Sequence, residues 1–203
     1  MITYYIKKII KKLIKPFYLS LDDMVVEIDL DSFNKNKLAL NENLKLQYCE
    51  KNMLKEVETQ FGFIVSNEFK GRLDESRGYF AVLKSKPSEV IAWAWSCDKL
   101  RKDEGARGFH YDVHPKKGSV YIFDVMSVPT KRNIGAMTFL LSKILEDNLQ
   151  QGFKKAFLTH NKQNKAMEKI TSKLGFSNVG QISYRRLFGN ETKDIKNLLR
   201  CTQ

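Results

Sequence analysis

The chain reads as an α/β domain built around one mixed sheet. Three observations lead there. Strand and helix patterns alternate along its 203 residues in the order β, α, α, β, β, β, α, β, α, β. The segment "SVYIFDVMSV" (119–128) is apolar nearly throughout, as a central strand covered on both faces must be. Two helical stretches, one after Gly135 and one after Asn164, each follow a strand and stop at a glycine.

Each element follows from local pattern. In "MITYYIKKIIKKLIKPF" the apolar Ile2, Tyr5, Ile6, Ile9, Ile10, Leu13, Ile14 and Phe17 fall at helical spacing. Lys7, Lys8, Lys11, Lys12 and Lys15 fill the gaps, and Pro16 stops the helix. Residues 1–18 are therefore expected to be a basic amphipathic helix, and 19–203 the folded domain. "MVVEIDL" (24–30) predicts a strand and the polar 34–43 a loop. Residues 50–60 have helical spacing with Gly62 as C-cap, and 66–76 make a second, shorter helix or a loop. "YFAVLKS" (79–85) and "VIAWAWS" (90–96) are strands about the turn "KPSE". Residues 98–119, with Gly105, Gly108, Pro115 and Gly118, read as a long loop. The helix after Gly135 uses Ile134, Met137, Leu141, Ile144 and Leu145 as its buried stripe and ends near Gly152. "KKAFLTH" (154–160) is a strand, and 164–174 a helix closed by Gly175. "SYRRLFG" (183–189) is a last strand, with a short helix over 193–200.

Composition narrows the function classes. Hydrophobic residues at 42% and charged residues at 29% are ordinary for a globular protein. The net charge of +12 is not, and it suggests an anionic partner: a phosphorylated cofactor, an acidic protein, a membrane surface or a nucleic acid. No helix-turn-helix, zinc finger or aromatic-basic strand motif supports specific nucleic-acid binding. The cysteines, Cys49, Cys97 and Cys201, are odd in number and widely spaced, with no C-x-x-C pair. Neither a disulfide framework nor a zinc site is indicated, and a reducing, cytoplasmic compartment fits best. No apolar run reaches the roughly 18 residues needed to span a bilayer. The first 17 residues suit a peripheral position on an anionic inner leaflet, or packing on the domain itself or a second copy. Oligomeric state is open.

The stretch "VPTKRNIGAMTFLL" (128–141) runs from the apolar strand through a proline and a basic turn into a helix. Helix N-termini gather unsatisfied N–H groups and bind phosphate. Lys131 and Arg132 add charge, and Gly135 removes a Cβ from the approach. Taken alone, the stretch is a loop or a phosphate cradle.

A second element favours the cradle. Pro129, Arg132 and Gly135 have the P-x-x-[QR]-x-x-G spacing, and "NKAMEKITSKLGF" follows with Asn164 and Gly175-Phe176. In this order and separation the two resemble the GNAT superfamily of acyl-coenzyme A-dependent N-acyltransferases. The resemblance covers residues 79–188. It implies a mixed, mostly antiparallel sheet with splayed central strands, 121–128 and 154–160, flanked by helices.

It also implies acetyl-coenzyme A, or another acyl-coenzyme A, as donor, no metal, and a small-molecule primary amine as acceptor. The amides of Met126 and Val128 would pair with the pantetheine arm, and Lys131, Arg132, Asn133, Ile134, Gly135, Ala136 and Met137 would hold the diphosphate. Asn164 would contact the pantetheine or a water. Asp124 is the candidate base, or else a carboxylate paired with a basic group. Two departures stand out: Met137 replaces Gly or Ala, and Thr171 replaces a tyrosine that protonates the departing thiolate. Ser172, Tyr184 or water would then serve, or no acid at all. His110 and His114, which share an extended face with Asp112, would line the acceptor pocket or an exposed loop. Trp95, sharing a face with Trp93, is core or pocket wall. The stretch "GSVYIFDV…ISYRRLFG" resembles members associated with polysaccharide synthesis, which suggests an amino-sugar acceptor. Alternatives are transfer from an acyl carrier protein, and a degenerate member that binds coenzyme A or membrane without turnover.

Overall fold

The computed structural model describes residues 18–34, 38, 40–99, 101–104, 110–113, 115–187 and 190–196. Its strands are β1 (Tyr18–Asp29), β2 (Leu44–Tyr48), β3 (Arg77–Leu83), β4 (Lys86–Cys97), β5 (Arg101–Glu104), β6 (His110–Val113), β7 (Ser119–Ser127), β8 (Lys155–Asn161), β9 (Ser177–Leu187) and β10 (Asn190–Lys196). Its helices are α1 (Leu54–Phe61), α2 (Phe63–Arg72), α3 (Ala136–Gln150) and α4 (Lys165–Leu174).

The apolar strand expected at the centre is there. The main sheet has the order β10-β9-β1-β8-β7-β4-β3-β2, with β7 between β8 and β4. Its one parallel pair is β7 with β8, and every other pairing is antiparallel. The period-2 alternation of a strand sorts side chains onto two faces. Val26, Ile28, Tyr79, Ala81, Val120, Ile122, Ala156 and Leu158 face one way and pack beneath α3 and α4. Val25, Phe80, Val82, Trp95, Tyr121, Phe123 and Phe157 face the other, with Val57 of α1 and Phe69 of α2. Both faces are covered, so the strands are apolar on both sides.

Helix α3 is anchored at its far end by one carboxylate. Asp147 accepts hydrogen bonds from Tyr48 (2.8 Å), Tyr79 (2.7 Å), Arg77 (3.1 Å) and Gln151 (2.6 Å). Hydrogen bonding to Asp147 and burial both push the Tyr48 phenol up, and burial does the same to Tyr79. These ties fix α3 across β2 and β3.

Several expectations are corrected. Strand β2 was not foreseen, and β1 begins at Tyr18, six residues before the expected strand. The turn before β4 is Lys84-Ser85, and "KPSE" lies inside β4. The loop over 98–119 contains the antiparallel pair β5–β6, a small sheet of its own. Residues 193–196, expected to open a helix, belong to β10, which pairs with β9 from Asn190↔Leu187 to Lys196↔Gln181. These are short or edge strands rich in charge, and polar edges protect a sheet from adding further strands. The amphipathic segment 1–17 lies outside the described residues. Among those described, no helix is long and apolar enough to cross a membrane.

Gly78 lies opposite Trp95 in the β3–β4 ladder. A Cβ there would sit 2.5 Å from Cys49 Cβ and 2.8 Å from the Trp95 ring. Gly78→Ala should therefore cost about 1–3 kcal/mol by overpacking, read as a lower urea midpoint. Burial, aided by Glu50, pushes the Cys49 thiol up to about 12. Alkylation mapped by mass spectrometry should accordingly leave Cys49 unmodified in the native protein and modify it in denaturant.

Candidate active site

The parallel pairing of β7 with β8 runs only from Ser119↔Lys155 to Ile122↔Leu158. Beyond it β7 continues to Ser127 and β8 to Asn161, so the two strands part and leave a fork. An unpaired strand edge offers N–H and C=O groups to an extended ligand. On its other edge β7 stays on β4, with a bulge: Trp95 pairs with Phe123 and Trp93 with Met126. The extra residue is Asp124, whose φ is +47°. Val128 N–H donates to Ile91 O at 2.9 Å. In an antiparallel ladder the same edge recurs every second residue, so Met126 also points its backbone at β4. This corrects the expectation that Met126 and Val128 present their amides to a ligand. The amides facing the fork are those of Val125 and Ser127, while the Met126 side chain is 45% exposed.

From β7 the chain makes a short 3-10 turn, Pro129–Lys131, and reaches α3 through Arg132, Asn133 and Gly135. Asn133 has φ +68° and Gly135 φ +77°. Asparagine and glycine are the residues that tolerate this left-handed conformation. A Cβ on Gly135 would meet nothing within 4 Å, so the space above it is open. No side chain caps α3. The first amide in this stretch to find a protein acceptor is Phe139 N, bonded to Gly135 O at 3.0 Å. The N–H groups of Arg132 through Thr138 have no acceptor among the described residues. The loop is held from behind by Asn41, whose Nδ2 donates to Ile134 O at 3.0 Å.

The two cations of the turn differ. Lys131 pairs with Glu89 of β4 at 3.0 Å, and Lys86 reaches the same carboxylate at 3.1 Å. Lys131 first and Lys86 second hold the Glu89 carboxyl below the usual carboxylate range. Arg132 is exposed and has no carboxylate partner among the described residues. It is the free charge at the cradle. Ala136 is buried, and Met137 is partly buried and packs on the core beneath α3. The thioether turns inward, so Met137 leaves the helix start clear.

The other expected residues are not gathered at one point. Asp124 accepts from Arg72 of α2 and from Trp93 Nε1 (3.1 Å), both on Oδ2. Arg72 also lies over the rings of Trp95 (5.7 Å), Phe69 (5.9 Å) and Phe123 (6.0 Å). Trp95 is 0% exposed, so of the two sequence readings it is core, not pocket wall. Tyr184 is buried on the same face as Asp124, but two strands, β1 and β8, lie between theirs, about 14 Å at the usual strand spacing. Thr171 is 2% exposed and donates to Met167 O (3.0 Å) and Glu168 O (3.1 Å), so its proton is held by its own helix. Asn164 caps α4, its Oδ1 accepting from Met167 N at 3.1 Å. His110 and Asp112 lie in β6, and His114 lies outside the described residues. Among the described residues no group of three His, Cys, Asp or Glu is placed to hold a metal.

One residue escaped the sequence reading. His160, near the end of β8, is 8% exposed and lines a cleft of about 240 Å³ with Met24, Val26, Thr171, Ser172 and Phe176. Its Nδ1 lies 3.1 Å from Asn161 O. A signal was available: His160 shares the inward face of 154–160 with Ala156 and Leu158, where a histidine is out of place by hydrophobicity alone.

Asn164→Ala separates cap from ligand contact. Loss of the cap alone should cost about 1 kcal/mol of stability in urea and change acetyl-coenzyme A affinity less than about twofold. A drop of tenfold or more would show direct contact.

No family model matches the chain, and no curated protein matches it in sequence. Solved structures do. A GCN5-related N-acetyltransferase from Sphaerobacter thermophilus aligns over 91% of this chain and 56% of its own, at 12% identity and a TM-score of 0.61. A GCN5-related glucosamine N-acetyltransferase region in a fungal multi-domain GH3 β-N-acetylglucosaminidase aligns over 89% of this chain and 23% of its own, at 12% identity and a TM-score of 0.61. A GNAT-family acetyltransferase from Colwellia psychrerythraea aligns over 84% and 57%, at 13% identity and 0.54. The chain thus spans little more than half the Sphaerobacter and Colwellia proteins. At such identities the likeness is one of architecture, and with its forked β7–β8 pair and open helix start the chain has the GNAT fold.

Proposed function

We propose that the protein transfers an acyl group, acetyl in the simplest case, from acyl-coenzyme A to a primary amine. The observation that carries this is the run of free N–H groups from Arg132 to Thr138, opening beside the β7–β8 fork. Oriented amides at a helix start, with Arg132 beside them, form a site for a diphosphate. The open edge of β7, through Val125 and Ser127, suits an extended amide-bearing arm such as pantetheine. A fork-facing N–H would polarise the thioester carbonyl as charge builds on its oxygen.

Asp124 supports the acceptor half. Arg72 and Trp93 hold its Oδ2, while Oδ1 receives no hydrogen bond from the described residues. That oxygen would bind the incoming ammonium and take a proton from it. The amine nitrogen then attacks the thioester carbon, the C–S bond breaks, and the products are an amide and the free thiol. One fungal neighbour is named as a glucosamine N-acetyltransferase region, which supports an amino sugar as an acceptor to test.

A second reading concerns location. The first residues of β1, Tyr18 to Asp22, pair with β9 and overhang the end of β8 at Asn161. Tyr18, the first described residue, thus lies at the end of the sheet where the β7–β8 fork opens, and residues 1–17 precede it in the chain. We propose that this lysine-rich segment binds an anionic membrane surface.

Calorimetric titration with acetyl-coenzyme A should show binding by the wild type. Gly135→Glu should weaken it at least about 100-fold, and Arg132→Ala about tenfold, or about 1.4 kcal/mol. Unchanged affinity in Gly135→Glu would refute the cradle. Glucosamine, lysine methyl ester, tyramine and spermidine form a first acceptor panel, with thiol release as readout. Removing residues 1–17 should abolish sedimentation with phosphatidylserine vesicles and leave acetyl-coenzyme A binding intact.

A further inference from the structure

We infer that His160 is the acid that protonates the departing thiolate, an inference that rests on the acyl-transfer reading above. Three features place it in that role. The first is position. Extending the β7–β8 register past Ile122↔Leu158 puts His160 level with Asp124, where the strands have parted. Asp124 reaches toward α2, through Arg72, and His160 toward α4, so the two flank the fork from opposite faces.

The second feature is the state of the ring. A carbonyl oxygen only accepts, so Nδ1 must carry the hydrogen in its contact with Asn161 O. That bond fixes the ring, and Nε2 is the nitrogen that opens on the cleft. It has no protein partner among the described residues. A ring tethered at one nitrogen and open at the other is the arrangement that lets an imidazole pass a proton.

The third feature is that, among the described residues inside the cleft, no hydroxyl is as good a proton donor. The Thr171 hydroxyl donates into its own helix. Tyr184 lies in the cluster on the opposite face. Ser172 lines the cleft, but a hydroxyl is a weak acid. The charged groups at the mouth are Lys162, Lys165 and Glu168. Lys165 already bonds Glu168 at 2.7 Å. Lys165, and to a lesser degree His160, hold the Glu168 carboxyl below the usual carboxylate range.

The step balances without a further reactant. As the tetrahedral adduct collapses, the C–S electron pair goes to sulfur and Nε2–H of the imidazolium gives sulfur its proton. The ammonium loses two protons on the way to the amide: one leaves through Asp124 to solvent before attack, and the second, shed by the adduct nitrogen, returns through cleft water to the imidazole.

The test uses the full chain, acetyl-coenzyme A and the amine panel. His160→Asn keeps a donor for Asn161 O but has no titratable nitrogen, and His160→Ala opens room for a small rescuer. Both should bind acetyl-coenzyme A within about twofold of wild type and release thiol at least about 100-fold more slowly. Free imidazole should restore part of the His160→Ala rate and leave His160→Asn unchanged. A merely structural histidine would not respond to imidazole. Thiol release in His160→Asn within threefold of wild type would overturn the inference and leave the acyl-transfer reading standing. So would a His160→Ala rate that imidazole does not raise. A wild type that binds acetyl-coenzyme A but releases no thiol with any amine would overturn it as well. A wild type that does not bind acetyl-coenzyme A would overturn the acyl-transfer reading itself.

Discussion

The bulge at Asp124 is the constraint on which the site depends. A non-glycine residue at φ +47° is held against its preference, at a cost on the order of 1–3 kcal/mol, and must be fixed by its surroundings. Arg72 and Trp93 supply that, both on one carboxylate oxygen. The guanidinium is itself set against Phe69, Trp95 and Phe123, so an ion pair and a group of rings lock the strand in its bent form. A bulge adds twist to the strand that carries it. Just before this one the pairing with β8 ends, and the fork opens. The same strand then runs on into the cradle, so bulge, fork and helix start form one continuous device.

The other side of the fork is held by the first described strand. Both β8 and β9 run antiparallel to β1, so they are parallel to each other with β1 between them. The chain passes from β8 to β9 through α4, which packs over the gap. Strand β8 can therefore leave β7 and stay fixed, because β1 keeps pairing with it as far as Asp23↔Asn161. Contacts between residues 126 to 138 positions apart carry that support, and such pairings close late and slowly in folding.

Charge is distributed with the same economy. Most of the excess of +12 is not at the cradle. Of the two cations in the turn, Lys131 is matched by Glu89, which ties the turn to β4, and Arg132 is left free. One cation fixes the loop and the other stays exposed. At the opposite end of α3, Asp147 gathers four donors and keeps the helix from sliding along the sheet. The open amides thus keep a fixed place relative to the fork, as a preorganised anion site needs.

The sequence by itself determined the elements whose signals are local. The apolar run 119–128 could only be central, and the left-handed glycines at 135 and 175 mark the start of one helix and the end of another. The spacing from Pro129 to Gly135, taken with Asn164 and Gly175-Phe176, pointed to the fold before any contact was known. Local signals did not reach the edge strands β2, β5, β6 and β10, because short polar strands lack the apolar alternation that marks a buried one. They did not reveal that Val128 faces β4, that Lys131 is bound to Glu89, that Asn164 caps its helix, or that His160 opens on a cleft. Each of those depends on which strand lies beside which, and strand order is set by pairings between residues far apart in the chain. Tertiary structure alone also decided the direction of the Met137 side chain: the core beneath α3 offered it an apolar place, and the cradle stayed open.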